Sequence, residues 1–187
     1  PTRVCFAILA IIITVSQAET ISIPAVKDST ILSSQKSCLK CPESSCSKCT
    51  FGHESTIRAN SGGPAYSRAL VGFKLPIPSS SVIDCAIQFP AFTQPLENAV
   101  TVTIAQAASS NWDEGTVDFE NAPESGVPFT HLVVPKNGNI GPIDITHACK
   151  RADSNGQISV FVGTEFGRIV VQSKESGSPS ILSITYT

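Results

Sequence analysis

The sequence contains few charged residues and no strong excess of either sign. Asp, Glu, Lys and Arg make up 15% of the 187 residues, and the formal net charge is -2, whereas a typical soluble domain is about one quarter charged. Without a basic excess, a nucleic-acid-binding protein is not expected. A hydrophobic content of 41% excludes a disordered chain, and glycine does not recur at every third position as collagen requires. The length suits one domain with a true hydrophobic core.

A long apolar run occurs only near the N-terminus. Arg3 precedes about 12 mostly apolar residues, and Ser16-Gln17-Ala18 places small residues where signal peptidase needs them. We therefore predict a secretory signal peptide over residues 1–18 and a single mature domain over residues 19–187. A membrane anchor is the alternative, but a spanning helix needs about 20 apolar residues. The mature chain is expected to be secreted without a membrane span, either free or held at the cell surface or wall.

The cysteines agree with secretion. The chain has seven, and removing Cys5 with the signal peptide leaves an even number. Four of them form the pattern C-x2-C-x4-C-x2-C within residues 36–50, a segment that we interpret as an insertion. Two C-x2-C units are typical of zinc sites, but the short loop between them and the oxidising compartment favour two local disulfides. These cysteines are Cys38, Cys41, Cys46 and Cys49, and the sequence does not choose among their three pairings.

Two further cysteines, Cys85 and Cys149, remain as natural partners. A disulfide between them would close a loop of about 64 residues and stabilise the fold by up to about 4 kcal/mol. Two buried free thiols are the alternative, because cysteine is often buried without a bond.

Alternating sequence patterns predict strands and no helix. In residues 100–104 the apolar side chains fall on one face and the threonines on the other, as in a half-buried strand. The same alternation recurs in residues 158–162 and 182–186. Short strands separated by Gly-, Pro- and Asn-rich turns predict an all-β protein, a jelly-roll β-sandwich with a disulfide-stapled, cysteine-rich insertion near the N-terminus. Further strands are expected near residues 56–58 and over residues 69–75, 82–89, 131–134, 143–145 and 168–172.

Several motifs over nearly all of the mature chain share their order with a known family. They run from Asp28-Ser29-Thr30, through Arg68-Ala69-Leu70-Val71-Gly72-Phe73 and Trp112-Asp113-Glu114-Gly115-Thr116-Val117, to Ser173-Lys174-Glu175 and Pro179-Ser180-Ile181-Leu182. In this order they resemble the DNRLRE-type domains classed with carbohydrate-binding module family 96. The resemblance implies a secreted jelly-roll module with polysaccharide as its partner. The cysteine-rich insertion between the first two motifs departs from the family pattern.

Candidate binding residues are few, because the sequence has only one Trp and two Tyr and a sugar-binding surface needs an aromatic platform beside polar groups. Trp112 follows a predicted strand in a loop, where binding sites are common. Alternatively, Trp112 covers one end of the sandwich and its indole N–H bonds a backbone carbonyl. Tyr66 with Arg68 is a second candidate, unless Arg68 pairs with Asp84 or Glu175. The predicted carbohydrate-binding residues are Tyr66, Arg68, Trp112, Glu114 and Lys174, and Arg58 and Lys174 would add charge for a carboxylated glycan.

No motif in the sequence predicts catalysis. Asp113 and Glu114 are adjacent, so in an extended segment they would point to opposite sides rather than flank one glycosidic bond. His147 is close to Cys149, but a strand-and-turn context and a disulfide would leave no thiolate. Phosphate-loop, nucleophile-elbow and zinc-protease motifs are absent from the sequence. No cofactor is predicted, and a structural calcium ion stays open, with Asp28, Asp113, Asp118 and Asp144 as available ligands.

These observations support three functional hypotheses. The first is a secreted, non-catalytic carbohydrate-binding module that recognises a cell-wall or extracellular-matrix polysaccharide. An alternative is a structural or adhesive jelly-roll protein that self-associates or binds a surface partner. A third hypothesis is a stand-alone polysaccharide lyase, because lyases that use Tyr, His and Arg escape a motif scan.

Overall fold

Strands dominate the computed structural model, which describes residues 17–34, 37–61 and 66–187. Most of the predicted signal peptide lies outside these ranges. Among the described residues, no helix is long and apolar enough to cross a membrane. The strands are β1 (Glu19–Pro24), β2 (Lys27–Ser33), β3 (Ser37–Cys38), β4 (Cys41–Ser45), β5 (Thr56–Ser61), β6 (Tyr66–Lys74), β7 (Val82–Gln88), β8 (Val100–Gln106), β9 (Thr130–Val134), β10 (Ile143–Asp144), β11 (Gln157–Thr164), β12 (Gly167–Gln172) and β13 (Ile181–Tyr186).

Two antiparallel sheets form the sandwich. The smaller sheet has the order β1-β13-β7-β10, and the larger has the order β12-β5-β6-β11-β8-β9, with β2 also paired to β6. Strands β1-β13-β7-β10 and β6-β11-β8-β9 are the two four-stranded halves of a jelly roll, in which successive strands of this set change sheet except at the hairpin β8–β9. The predicted jelly-roll β-sandwich is therefore confirmed.

The hydrophobic core follows from period-two alternation along these strands. Strand β6 sends Ala69, Val71 and Phe73 into the core, so its even-numbered residues point to the outer side of the larger sheet. Strands β8 and β11 alternate in the same way. Their inward residues are Val100, Val102, Ile104, Ile158, Val160 and Val162. This parity decides which side chains remain available on the outer face.

The predicted disulfide between Cys85 and Cys149 is present and closes a loop of 64 residues. Cys149 lies in a short helix, α1 (Thr146–Cys149), which the sequence analysis did not predict. The expected strand over residues 143–145 ends at Asp144, because its carboxylate accepts the N–H of Thr146 at 2.8 Å and turns the chain into the helix. His147 is consequently helical and does not lie in the predicted strand-and-turn context.

A second disulfide staples the cysteine-rich segment. It joins Cys41 to Cys49 across a separation of 8 residues. Cys46 and Cys49 are buried in a small apolar cluster with Phe51. The side chain of Cys38 lies outside the described residues. Because Cys41 and Cys49 are bonded to each other, a zinc site made of all four thiolates is excluded, and the disulfide interpretation holds for this pair.

Candidate functional site

The outer face of the larger sheet is divided into two halves. Residues 107–122, which we call the covering segment, leave β8 and fold back over one half, the covered half, where Trp112 and Val117 pack against Leu70 and Phe161. No described residues fold back over the other half in this way, and we call it the open face. It consists of the outward residues Tyr66, Arg68, Thr101, Thr103, His131, Val133, Gly163 and Glu165.

Strand register brings the central row of the open face together. Gly163 pairs with Thr103, which in turn pairs with His131. A Cβ atom built on Gly163 would lie 3.9 Å from Cγ of Arg68 and 4.0 Å from the hydroxyl oxygen of Tyr66. Gly163 itself is buried, and its missing side chain lets Thr103, Arg68 and Tyr66 close over the backbone at this point. Four neighbouring strands supply this row, so its geometry does not depend on a mobile loop.

A second row lies beside the first. Val133 pairs with Thr101, and the N–H of Glu165 donates to the Thr101 carbonyl at 2.9 Å. The Glu165 carboxylate contacts Nδ1 of His131 at 2.8 Å, which connects the two rows. Sequence reasoning missed these residues as site candidates, although the alternation in residues 100–104 had already placed the threonines on the solvent side.

Tyr66 and Arg68 form one side of the open face. Tyr66 is 41% exposed. The Cζ atom of the Arg68 guanidinium lies 4.2 Å from the ring centroid of Phe161 and 5.9 Å from that of Tyr66, so the cation lies over the Phe161 ring. Within the described part of the chain, no carboxylate pairs with Arg68. The expected pairing with Asp84 or Glu175 is not formed, because Arg68 faces outward from the larger sheet while Asp84 belongs to the smaller one.

Trp112 is part of the covered half. The residue is only 9% exposed, and its indole Nε1–H donates to the hydroxyl of Ser159 at 2.9 Å. Nζ of Lys27 lies 4.4 Å from the ring centroid and donates to the Trp112 carbonyl at 2.8 Å. The expected hydrogen bond is thus present, but its acceptor is a side-chain hydroxyl, and the ring covers a sheet face rather than one end of the sandwich. In this position Trp112 offers little ring surface to a ligand.

Glu114 and Lys174 belong to a network around Asp28. Glu114 Oε1 accepts the N–H of Asp28 at 2.6 Å, and Glu114 Oε2 contacts Nζ of Lys174 at 2.8 Å. Asp28 Oδ2 accepts the N–H of Lys174 at 2.8 Å. These bonds tie the covering segment to β2 and to the turn after β12. Glu114 and Lys174 therefore stabilise the fold by connecting these segments. Their role in carbohydrate binding stays a prediction.

Asp28 is the carboxyl group most affected by burial. Desolvation raises its pKa from 3.8 to about 6, although the hydrogen bond from the Lys174 N–H opposes the change. Its Oδ1 atom is buried and accepts no hydrogen bond from the described residues. Burial of this carboxylate is therefore unfavourable at neutral pH.

The other residues considered in the sequence are dispersed. Arg58 lies in a separate groove, with its Cζ atom 5.4 Å from the ring of Phe51. Asp118 and Asp144 each accept backbone N–H groups of their own turns, and the hydrogen bonds from Thr146 lower the pKa of Asp144. Across residues 17–34, 37–61 and 66–187, no three His, Cys, Asp or Glu side chains are arranged to hold a metal ion. The question of a structural calcium ion stays open.

Comparison with known proteins agrees with this architecture. A relative from Arthroderma benhamiae, described as an uncharacterized secreted protein, is 51% identical over 166 residues, which cover 89% of this chain and 85% of the relative. This similarity confirms the secreted location predicted from the N-terminal segment. Residues 43–186, which include the whole open face and the covering segment, match the model of carbohydrate-binding module family 96. The chain therefore belongs to carbohydrate-binding module family 96.

Proposed function

We propose that this protein is a secreted, non-catalytic module that binds a cell-wall or matrix polysaccharide at the open face. The observation that carries the proposal is the exposed Tyr66 beside Arg68, a cation without an ion-pair partner among the described residues. Family membership supports carbohydrate as the class of ligand. The DNRLRE-type label stays a prediction from motif order.

The chemistry of the open face suits a sugar. The apolar face of a pyranose ring stacks on an aromatic ring such as that of Tyr66, and planar or hydroxyl groups bond its hydroxyls. Arg68 supplies directed N–H donors, and Thr103 supplies a hydroxyl. Gly163 lets the Thr103 side chain lie close to those of Arg68 and Tyr66, since a Cβ atom there would lie 2.8 Å from Oγ1 of Thr103. Because the strands hold these groups in place, binding would order few side chains.

The same geometry favours binding over catalysis. Glu165 is the only carboxylate of the open face, whereas glycoside hydrolysis needs a pair of carboxylates. A lyase would need its base and acid close to one sugar carbon. Tyr66 on β6 and His131 on β9 are three strands apart, or about 14 Å between backbones, and His131 is engaged by Glu165. This spacing supports a module that holds its ligand without cleaving it.

The proposal is tested by retention of the purified, disulfide-bonded protein on insoluble polysaccharides and by affinity electrophoresis with soluble ones. We expect retention, and we expect Tyr66→Ala and Arg68→Gln each to weaken it about tenfold, which corresponds to about 1.4 kcal/mol. Phe119→Ala removes an exposed aromatic ring from the covering segment and should bind normally. A protein that is retained by no polymer, or variants that bind like the unmodified chain, would refute the proposal. Light scattering over a range of concentrations tests the self-associating alternative.

A further inference from the structure

A groove that is separate from the open face lies at one end of the sandwich, and we call it the end groove. It measures about 490 Å³ and lies between the β11–β12 turn and residues 94–100. Its most unusual residue is Phe166, which is 75% exposed. Phe166 lies in the connection between β11 and β12, and its exposed ring is accessible for stacking on a bound ligand. The polar residues of the groove are Gln94, Glu97, Asn98 and Arg168.

The turn that presents Phe166 is held firmly. Gly167 has a φ of 81°, a left-handed conformation that glycine adopts without strain, and it lets the chain pass from β11 into β12. The hydroxyl of Thr164 donates to the Gly167 carbonyl at 3.0 Å, and the N–H of Glu165 donates to the Thr101 carbonyl at 2.9 Å. Phe166 is therefore presented from a fixed backbone, and a ligand that covers its ring need not order the turn first.

The opposite wall is fixed as well. The N–H of Thr93 donates to the Val170 carbonyl at 2.9 Å, which holds the start of the segment against β12. Leu96 is buried in the main core, and its carbonyl accepts the N–H of Asn137 at 3.3 Å. The groove between two anchored walls is thus already formed in the free protein, as binding sites for small ligands usually are.

The charges of the end groove are balanced. Glu97 and Arg168 are both exposed and carry opposite signs, and the amides of Gln94 and Asn98 are neutral. A polyanion would gain little attraction from such a surface. A neutral sugar would stack its ring on Phe166 and offer neighbouring hydroxyls to the carboxylate, guanidinium and amide groups. We infer that the end groove is a second carbohydrate-binding site, for neutral oligosaccharides, that is independent of the open face.

The inference is tested by adding laminarihexaose, cellohexaose and mannohexaose to the ¹⁵N-labelled full mature chain and following its amide resonances by NMR. At least one of these neutral sugars should shift the amides of residues 94–99 and 166–170. Phe166→Ala and Arg168→Gln should each lower the affinity at this groove at least fivefold. Phe119→Ala removes an exposed aromatic ring elsewhere, 40% exposed against 75% for Phe166; it is the control and should leave the affinity at the end groove unchanged.

The outcomes separate this inference from the proposed function. Shifts confined to the open face would support the proposed function and overturn the inference of a site in the end groove. Shifts confined to the end groove would support this inference and count against the open face. If none of the three sugars shifts residues 94–99 or 166–170, the inference is wrong. A change in molar mass of Phe166→Ala by light scattering would show that the ring mediates contact between copies of the chain, which also overturns it.

Discussion

Replacement of Asp28 by Asn tests how strongly burial of this carboxylate opposes folding at neutral pH. Asp28 is 1% exposed, and only one of its oxygens accepts a hydrogen bond from the described residues. Asn has nearly the same shape and is neutral, as the protonated acid is. The variant therefore keeps the contacts of the side chain and removes its titration.

The magnitude follows from the pKa of Asp28, which is 3.8 in the unfolded chain and about 6 in the fold. Because the folded state binds the proton more tightly, the free energy of unfolding is largest below the unfolded pKa and falls as pH rises through the folded pKa. A difference of about two pKa units corresponds to about 3 kcal/mol. The unmodified protein should lose up to about this amount between pH 3.5 and 7.5 through Asp28, and Asp28→Asn should not.

Urea unfolding of both proteins at these two pH values, followed by circular dichroism, measures the effect. Other groups with shifted pKa values, such as Asp144, contribute equally to both proteins and cancel in the comparison. Glu124→Gln, which neutralises an exposed carboxylate, should follow the unmodified protein. If the pH profile of Asp28→Asn runs parallel to that of the unmodified protein, the burial argument fails.

Three further predictions concern stability. Changing both Cys85 and Cys149 to Ala should lower the free energy of unfolding in urea by about 4 kcal/mol, because the unfolded chain regains the entropy of a 64-residue loop. An unchanged urea midpoint would contradict this. Trp112→Phe leaves the Ser159 hydroxyl without its donor and should lower thermal stability by about 1 to 2 kcal/mol, while polysaccharide retention should stay the same unless the ring contacts ligand. Gly167→Ala should destabilise by about 1 kcal/mol or more, because alanine disfavours a positive φ and its Cβ would lie 3.0 Å from Val100; a neutral result in thermal unfolding would refute this.

The strands were predictable because each has to place apolar side chains on one side. Residues 100–104, 158–162 and 182–186 alternate clearly, and all three ranges lie within observed strands. Helix α1 was missed because it is a single turn of four residues, too short for a helical period to appear in the sequence. The sandwich could therefore be predicted from local patterns, whereas this small capping element could not.

The site was predictable only in part. The expected strand over residues 69–75 in fact begins at Tyr66, and extending the alternation back from Ala69 would have placed Arg68 and Tyr66 outward. Trp112 could not be assigned in this way, because its burial depends on residues 107–122 folding back over the sheet. That arrangement depends on contacts between residues far apart in the sequence, such as the bond to Ser159, which no local pattern reveals.

The covering segment also limits the shape of the surface it leaves uncovered. From β6 to β9 the open face extends about 14 Å across the strands, but its two rows of side chains extend only about 7 Å along them. Residues 107–122 form a wall along one long side of this rectangle. An extended polymer chain bound there would have to run crosswise, so that successive sugar units meet different strands. Selectivity for linkage and branching would then be distributed over four strands rather than concentrated in one loop.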